Sequence, residues 1–215
     1  MAEIATTHRQ PDRPLDFPGI GLMREILFLA HRVPWPPDRG DKIRSFHILK
    51  KLQSLAPVHV GAFADDARDV ECAEAERAGL ASLHVEIRDK PSWFSGIEAL
   101  ASGKPVSLTS FGSKAMQDWV NERLASGAIS HIFVFSGQMA QYVPADFDGL
   151  FIMDFVDVDS AKFESYAGEG NSLMRWVHAR EGKKLADFEA EIAQRADASL
   201  FVSEAEATLF RKRSG

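Results

Sequence analysis

From residue 25 onward the chain alternates between short apolar runs and longer stretches in which apolar positions recur every three or four residues. The runs Glu25 to Ala30, Val58 to Ala64, Ser82 to Ile87, Ala128 to Phe135, Leu150 to Val156 and Ala198 to Val202 lack strict polar alternation. That is the pattern of strands buried on both faces. Between them the helical period predicts a helix opening at Asp41 as N-cap, with Phe46, Ile48, Leu49, Leu52 and Leu55 inward and Lys42, Arg44, Lys50 and Lys51 in water. Further helices are predicted over Ala67 to Ala78, near Trp93 to Leu100, over Ser113 to Ala125, and as a short turn through Tyr142. Ser102 to Gly112, rich in Ser and Gly, reads as a loop. A long helix capped by Asn171 or Ser172 runs to about Arg195 with Trp176, Leu185, Phe188 and Ile192 inward, and a last one begins at Glu204.

Strands and helices in this alternation give right-handed crossovers and a parallel sheet covered on both sides. The predicted fold class is therefore α/β: a doubly wound, mainly parallel, Rossmann-like sheet. Residues 1–22 carry Pro11, Pro14 and Pro18 without periodicity and read as a mobile tail, not a secretory signal. Met23 is a plausible natural start, and residues 23–215 form one domain.

Composition narrows the function classes. With 215 residues and 45% hydrophobic content the chain can bury on the order of 70% of its surface in one core. A formal charge of −6 argues against a chain whose main partner is nucleic acid. The single cysteine, Cys72, excludes an internal disulfide, and no Cys/His spacing suggests structural zinc. Both fit a reducing cytoplasm. The longest apolar runs, such as Ile26 to Ala30, are far short of the roughly 20 residues of a membrane helix.

Candidate chemistry gathers in two places. Leu150 to Lys162 (LFIMDFVDVDSAK) is a core strand that breaks into Asp154, Asp157 and Asp159, followed by Ser160 and Lys162. Carboxylates beside a buried strand must be solvated, paired or protonated. The C-terminal end of a parallel strand is where open α/β sheets bind ligands, so the expectation is a shared cleft. The alternative is that Asp157, Asp159 or Ser160 merely caps the next helix. The second place is the loop His31 to Gly40 (HRVPWPPDRG), where prolines stiffen the chain and Gly40 and Asp41 open a helix whose free amides suit an anion. His31, Arg32, Ser136 and Gln138 also follow strand ends.

Taken together, HRVPWPPDRGDKIRSFHILKKL, VFSGQMAQYV, MDFVDVDSAKFESYA, MRWVHAREGKKLADFE and ASLFVSEAEATLF resemble the N-terminal half of a sugar transferase of the PEP-CTERM/exosortase exopolysaccharide-associated group, within the retaining GT-B glycosyltransferases of family 4. The resemblance runs from about Met23 to the end. It implies the acceptor-side half of a GT-B fold, with the donor held mainly by a C-terminal domain beyond these 215 residues, so that this chain alone transfers little. Gly40 matches a glycine of the donor-diphosphate loop, whose second glycine is Asp41 here. Asp157 stands where many relatives carry a histidine near the acceptor hydroxyl, and Lys162 matches a basic residue a few positions on. Arg44 and Asp159 are further acceptor-binding candidates, with His31, Arg32, Ser136 and Gln138 lining the same cleft.

The implied partners are a nucleotide-sugar donor and a glycan or lipid-linked acceptor, with no resident cofactor, no metal and no nucleic acid. Work at the cytoplasmic face of the membrane is implied by the resemblance. Lys50-Lys51 and Arg211-Lys212-Arg213 are the small basic clusters that would serve peripheral contact. Two other readings remain. Asp157-Val158-Asp159 also looks like the metal-binding DxD of a single-domain GT-A enzyme, with a divalent ion bridging donor phosphates. The chain also fits a non-catalytic Rossmann-like binding module whose acids are caps and surface charge.

Overall fold

The computed structural model describes residues 24–89, 91–166 and 172–214. The predicted tail and Asn171 lie outside them. Six strands form one all-parallel sheet: β1 (Glu25–Ala30), β2 (Val58–Ala64), β3 (Ser82–Ile87), β4 (Ile129–Phe135), β5 (Leu150–Val156) and β6 (Ala198–Phe201). Their order is β3-β2-β1-β4-β5-β6, so the sheet winds one way from β1 to β3 and the other way from β4 to β6. The reversal between β1 and β4 is a topological switch point, where the loops leaving the two strands part and open a crevice.

The apolar runs behave as double-sided strands because successive side chains enter opposite layers. Ile26, Phe28, Ala30, Val58, Val60, Ala62, Phe133 and Phe135 pack with Leu49 of α1 (Gly40–Gln53) and Ala73 of α2 (Ala67–Ala75). Leu27, Leu29, Ile132, Val134, Phe151 and Met153 face the other layer. There they meet Met116 and Val120 of α5 (Lys114–Ala125), Ile192 of α7 (Ser172–Arg195) and Phe210 of α8 (Glu204–Ser214). Between them lie α3 (Ser92–Ser102), α4 (Val106–Ser110) and α6 (Asp159–Tyr166), and the short helix expected through Tyr142 is a 3₁₀ segment, Gly137–Tyr142. Gly61 of β2 is needed for this packing. A Cβ there would lie 2.8 Å from the Trp119 ring and 3.0 Å from both Leu29 and Met116. Overpacking of this kind costs about 1–3 kcal/mol, so Gly61→Val should lower the denaturant midpoint with the slope unchanged.

Several expectations are corrected. Helix α1 begins at Gly40 with Arg39 as N-cap, so Asp41 lies inside its first turn. Lys42 is not in water: it is 2% exposed, and its ammonium donates to Asp69 at 2.5 Å and to the Trp35 carbonyl at 3.3 Å. A buried lysine needs such a partner, and helical period alone cannot reveal an acid 27 residues away. Leu55 lies past the end of α1 and is exposed, as is Trp176 in the first turns of α7. The stretch expected as a loop from Ser102 to Gly112 contains α4. Its orphan amides are capped from outside: Glu181 accepts from the N–H groups of Val106 and Ser107 at 2.8 Å each. The predicted helix to Ala78 ends at Ala75 and continues as a 3₁₀ turn, Arg77–Gly79.

Candidate functional site

The C-terminal ends of β1, β4 and β5 carry most of the candidate side chains, and the backbone there departs from regular strand. Val156 ends β5 at φ +69° and Ser136 follows β4 at φ +79°. A β-branched residue in the left-handed region is strained, and such strain persists only where its surroundings over-determine it. At Val156 they do. The Val156 N–H donates to Asp154 Oδ1 at 3.0 Å, its carbonyl accepts from Val202 N–H at 2.9 Å, and the β5–β6 register shifts between Asp154 and Val156. The kink re-aims the chain so that Asp157 and Asp159 turn out over the sheet's rim.

A cleft of about 370 Å³ opens at the switch point. From the β1 side it is lined by His31, Arg32 and Asp41. From β4 come Ser136 and Gln138, and from the β5–α6 junction Phe155, Val156, Asp157, Asp159 and Lys162. Arg88, after β3, and Phe111, between α4 and α5, close it. Of the candidate site residues singled out from the sequence, Gly40, Arg44, Asp154 and Ser160 do not line it, and the others meet here. Gly40 is exposed at the start of α1, and a Cβ on it would meet no atom within 4 Å, so the space beside it is open.

One wall is acidic. Asp157 is 37% exposed and its carboxylate accepts from Lys162 Nζ at 2.7 Å; Asp159 accepts from the same ammonium at 3.3 Å and from Gln138 Nε2 at 3.1 Å. Ser136 Oγ donates in turn to Gln138 Oε1, so a chain of bonds runs from Ser136 to Asp157. Burial of Lys162 works against its charge, but the hydrogen bond to Asp157 and the field of Asp159 more than offset it and raise the ammonium's pKa. The opposite wall is basic. Arg32 donates to Asp65 at 3.0 Å and to Asp41 at 2.9 Å, while Arg39 and Arg88 also pair with Asp65. The His31 imidazole and then the Arg32 guanidinium hold the Asp41 carboxyl well below the usual carboxylate range, against the opposing effect of burial. His31 itself stacks on Phe135 at 5.8 Å between ring centroids.

Arg44 and Asp154 are corrected. Arg44 was expected to face water and to bind acceptor, and Asp154 to share the cleft. Instead Arg44 Nε and Nη2 both donate to Asp154 Oδ2, at 3.1 and 2.8 Å, and Asp154 is fully buried. The pair ties α1 to β5 beneath the cleft. Burial raises the Asp154 pKa, with Arg44 pulling the other way.

The capping alternative also resolves. Asp159 is the first residue of α6, and its carboxylate turns to Lys162 and Gln138. The amides at that helix start are met from a distance. Glu206 accepts from Val158 N–H at 2.8 Å, and Glu189 accepts from Ser160 N–H at 3.1 Å and from Ser160 Oγ at 2.6 Å. Burial pushes the Glu189 carboxyl from 4.5 up to about 7, with the Ser160 bonds opposing. A carboxyl whose folded pKa is raised favours the native state fully below its unfolded value and loses that contribution as pH rises through the folded one. Stability should therefore fall between about pH 4.5 and 7 by on the order of 3 kcal/mol from this group. Glu189→Gln should flatten that decline and raise the melting temperature at pH 8 with no gain at pH 4.5, as read by calorimetry across pH.

A divalent ion does not fit the acidic wall as built. Among the described residues no three His, Cys, Asp or Glu side chains gather in metal-binding geometry. The space between Asp157 and Asp159 is taken by the Lys162 ammonium, which an ion would have to displace. Within the basic clusters noted for membrane contact, Lys50 pairs with Glu76, Arg211 with Glu204 and Arg213 with Glu164. Among the described residues no helix is long and apolar enough to cross a membrane.

Sequence reasoning missed Arg88 and Phe111. Arg88 was legible, since it directly follows the strand run Ser82 to Ile87, much as His31 and Arg32 follow Ala30. Phe111 was not, because its place depends on Tyr142, whose hydroxyl donates to the Phe111 carbonyl and accepts from Ser113 N–H at 2.9 Å. No family model matches this chain, and no curated protein or solved structure matches it.

Proposed function

We propose that this chain is the acceptor-side domain of a retaining GT-B glycosyltransferase of the family 4 type, which transfers a sugar from a nucleotide-sugar donor to a glycan or lipid-linked acceptor in exopolysaccharide assembly. Beyond the resemblance in sequence, the reading is carried by one observation: the acidic wall at Asp157 and the β1–α1 loop share a single open rim at the switch point. An acceptor hydroxyl seated in the cleft would donate to the half-exposed Asp157 carboxylate, which orients it and can take up its proton. Lys162 fixes that carboxylate and Gln138 fixes Asp159 beside it. The open N-terminus of α1 at Gly40 is the side from which a donor diphosphate would approach, with attack on the face the diphosphate leaves.

In this scheme the nucleotide is gripped by a second Rossmann domain. The 215-residue chain should then bind saccharides but transfer no sugar from UDP-, GDP- or dTDP-activated donors, measured by release of nucleoside diphosphate. Robust transfer by this chain, or nucleotide-sugar binding that requires manganese, would favour the single-domain reading. The position of Lys162 between the two carboxylates speaks against that alternative.

A further inference from the structure

The carboxyl of Glu189 has no part in lining the cleft, yet it holds the acidic wall from behind. Glu189 lies on α7 and is 4% exposed. Its two oxygens accept from Ser160 N–H and Ser160 Oγ at the start of α6, and Arg213 of α8 donates to the same Oγ at 3.3 Å. Two turns earlier on α7, Gly182 lets the helices close: a Cβ there would lie 3.0 Å from the Glu164 side chain and 3.3 Å from the Ser160 carbonyl. Ser160 itself is 1% exposed, so its bonds are made to protein rather than to bulk water.

The neighbours of Ser160 make up the wall. Asp159 precedes it and accepts from Gln138 and Lys162, and Lys162, two residues on, holds the Asp157 carboxylate at 2.7 Å. An ionised carboxyl can only accept, so it takes both Ser160 donors at once. A protonated one must carry a hydrogen on one oxygen. Ser160 Oγ would then face two donors, that carboxyl O–H and Arg213, and its own proton would lose the acceptor it has now. At a buried hydroxyl such a loss is costly, so ionisation fixes the start of α6 and protonation loosens it.

The charges around Glu189 come from two helices. Asp159 on α6 works against its ionisation and Arg213 on α8 works for it, while Glu164 of α6 is paired with Arg213 and Glu206 of α8 accepts from Val158 N–H. From β5 the side chains of Phe151, Met153 and Phe155 enter this layer, and they carry no charge. Burial outweighs the rest and pushes the carboxyl up to about 7, so the two forms exchange near neutral pH. We infer that Glu189 is the positioning residue of the acidic wall: ionised, it locks the start of α6 and, through Asp159 and Lys162, sets the Asp157 carboxylate for the acceptor, and protonation releases that lock. The inference rests on the acceptor-binding reading above and adds what holds its carboxylate in place. Stability and binding then pull in opposite directions at Glu189, since the same ionisation costs the fold and sets the wall.

The test follows the amide shifts of the isotope-labelled 215-residue chain from pH 5.5 to 8.5. Val158, Asp159, Ser160 and Lys162 should move together with a midpoint near 7, and Glu189→Gln should abolish that inflection. The glutamine amide, like the protonated acid, keeps one acceptor oxygen and turns a donor toward Ser160. Over the same range the parent should bind the tightest of methyl glucoside, maltose and cellobiose about tenfold more strongly at pH 8.5 than at 5.5, and by reciprocity saturating saccharide should move the midpoint down to about 6. His31 also lines the cleft and is retained in Glu189→Gln, where the gain should shrink to about twofold or less. Shifts at Val158 to Lys162 that ignore pH or persist in Glu189→Gln overturn the inference. So does equal saccharide affinity at both pH values in the parent, which leaves the acceptor reading standing. Binding of no saccharide at either pH overturns the acceptor reading and the inference with it.

Discussion

Replacing Arg44 by alanine should destabilise the domain by about 3–5 kcal/mol, among the largest effects available to a single change here, because it strands the Asp154 carboxylate without its ion partner. Asp154 is 0% exposed, and water does not replace a lost guanidinium at such a site. For a domain of this size that is a drop in melting temperature of roughly 6–20 °C. Burial already raises the Asp154 pKa, and without Arg44 it should rise further. The deficit should then shrink as pH falls and the stranded carboxylate protonates. Adding Asp154→Asn to Arg44→Ala should restore part of the loss, since a neutral amide can still accept from Val156 N–H. If Arg44→Ala melts like the parent protein at pH 7, the pair does not hold α1 to β5.

The second large effect concerns activity. In the two-domain enzyme that the proposed function calls for, Asp157→Ala should lower kcat by about 10²–10⁴-fold while the melting temperature changes little. The two can be separated because Asp157 is half-exposed and bonded only at its rim to Lys162, not built into the core. Lys162→Met should cut activity less, since it removes the group that fixes the carboxylate and leaves the carboxylate itself. Full activity in Asp157→Ala would instead support a non-catalytic reading of the acid cluster.

The two Asp predictions differ in kind, and that difference was only half legible in the sequence. Burial on both faces was plain in the near-continuous apolar runs EILFLA and LFIMDFV, and with the intervening helices it pointed to a parallel, doubly wound sheet before any contact was known. The same rule placed His31, Arg32, Ser136, Gln138 and Asp157 at strand ends, and these meet in one cleft. Asp154 could not be separated from Asp157 that way. Its partner, Arg44, is 110 residues distant and was read as a solvated helix face, because an arginine on a helix looks the same whether water or a buried carboxylate receives it. Lys42 with Asp69 and the remote caps at Glu181, Glu189 and Glu206 escaped for the same reason. Local pattern shows where a charge sits along the chain, but only the packed fold shows what faces it.

In the proposed function the rim between β1, β4 and β5 seats a sugar acceptor at Asp157. This reading is tested most directly by an amide shift titration of the isotope-labelled chain with the oligosaccharide that binds best. Shifts should gather at His31, Arg32, Ser136, Gln138 and the stretch from Val156 to Lys162, and be lost in the Asp157→Asn variant. Shifts confined to the opposite, N-terminal ends of the strands around Glu25, His59 and Ser82, or unchanged in the Asp157→Asn variant, would contradict it.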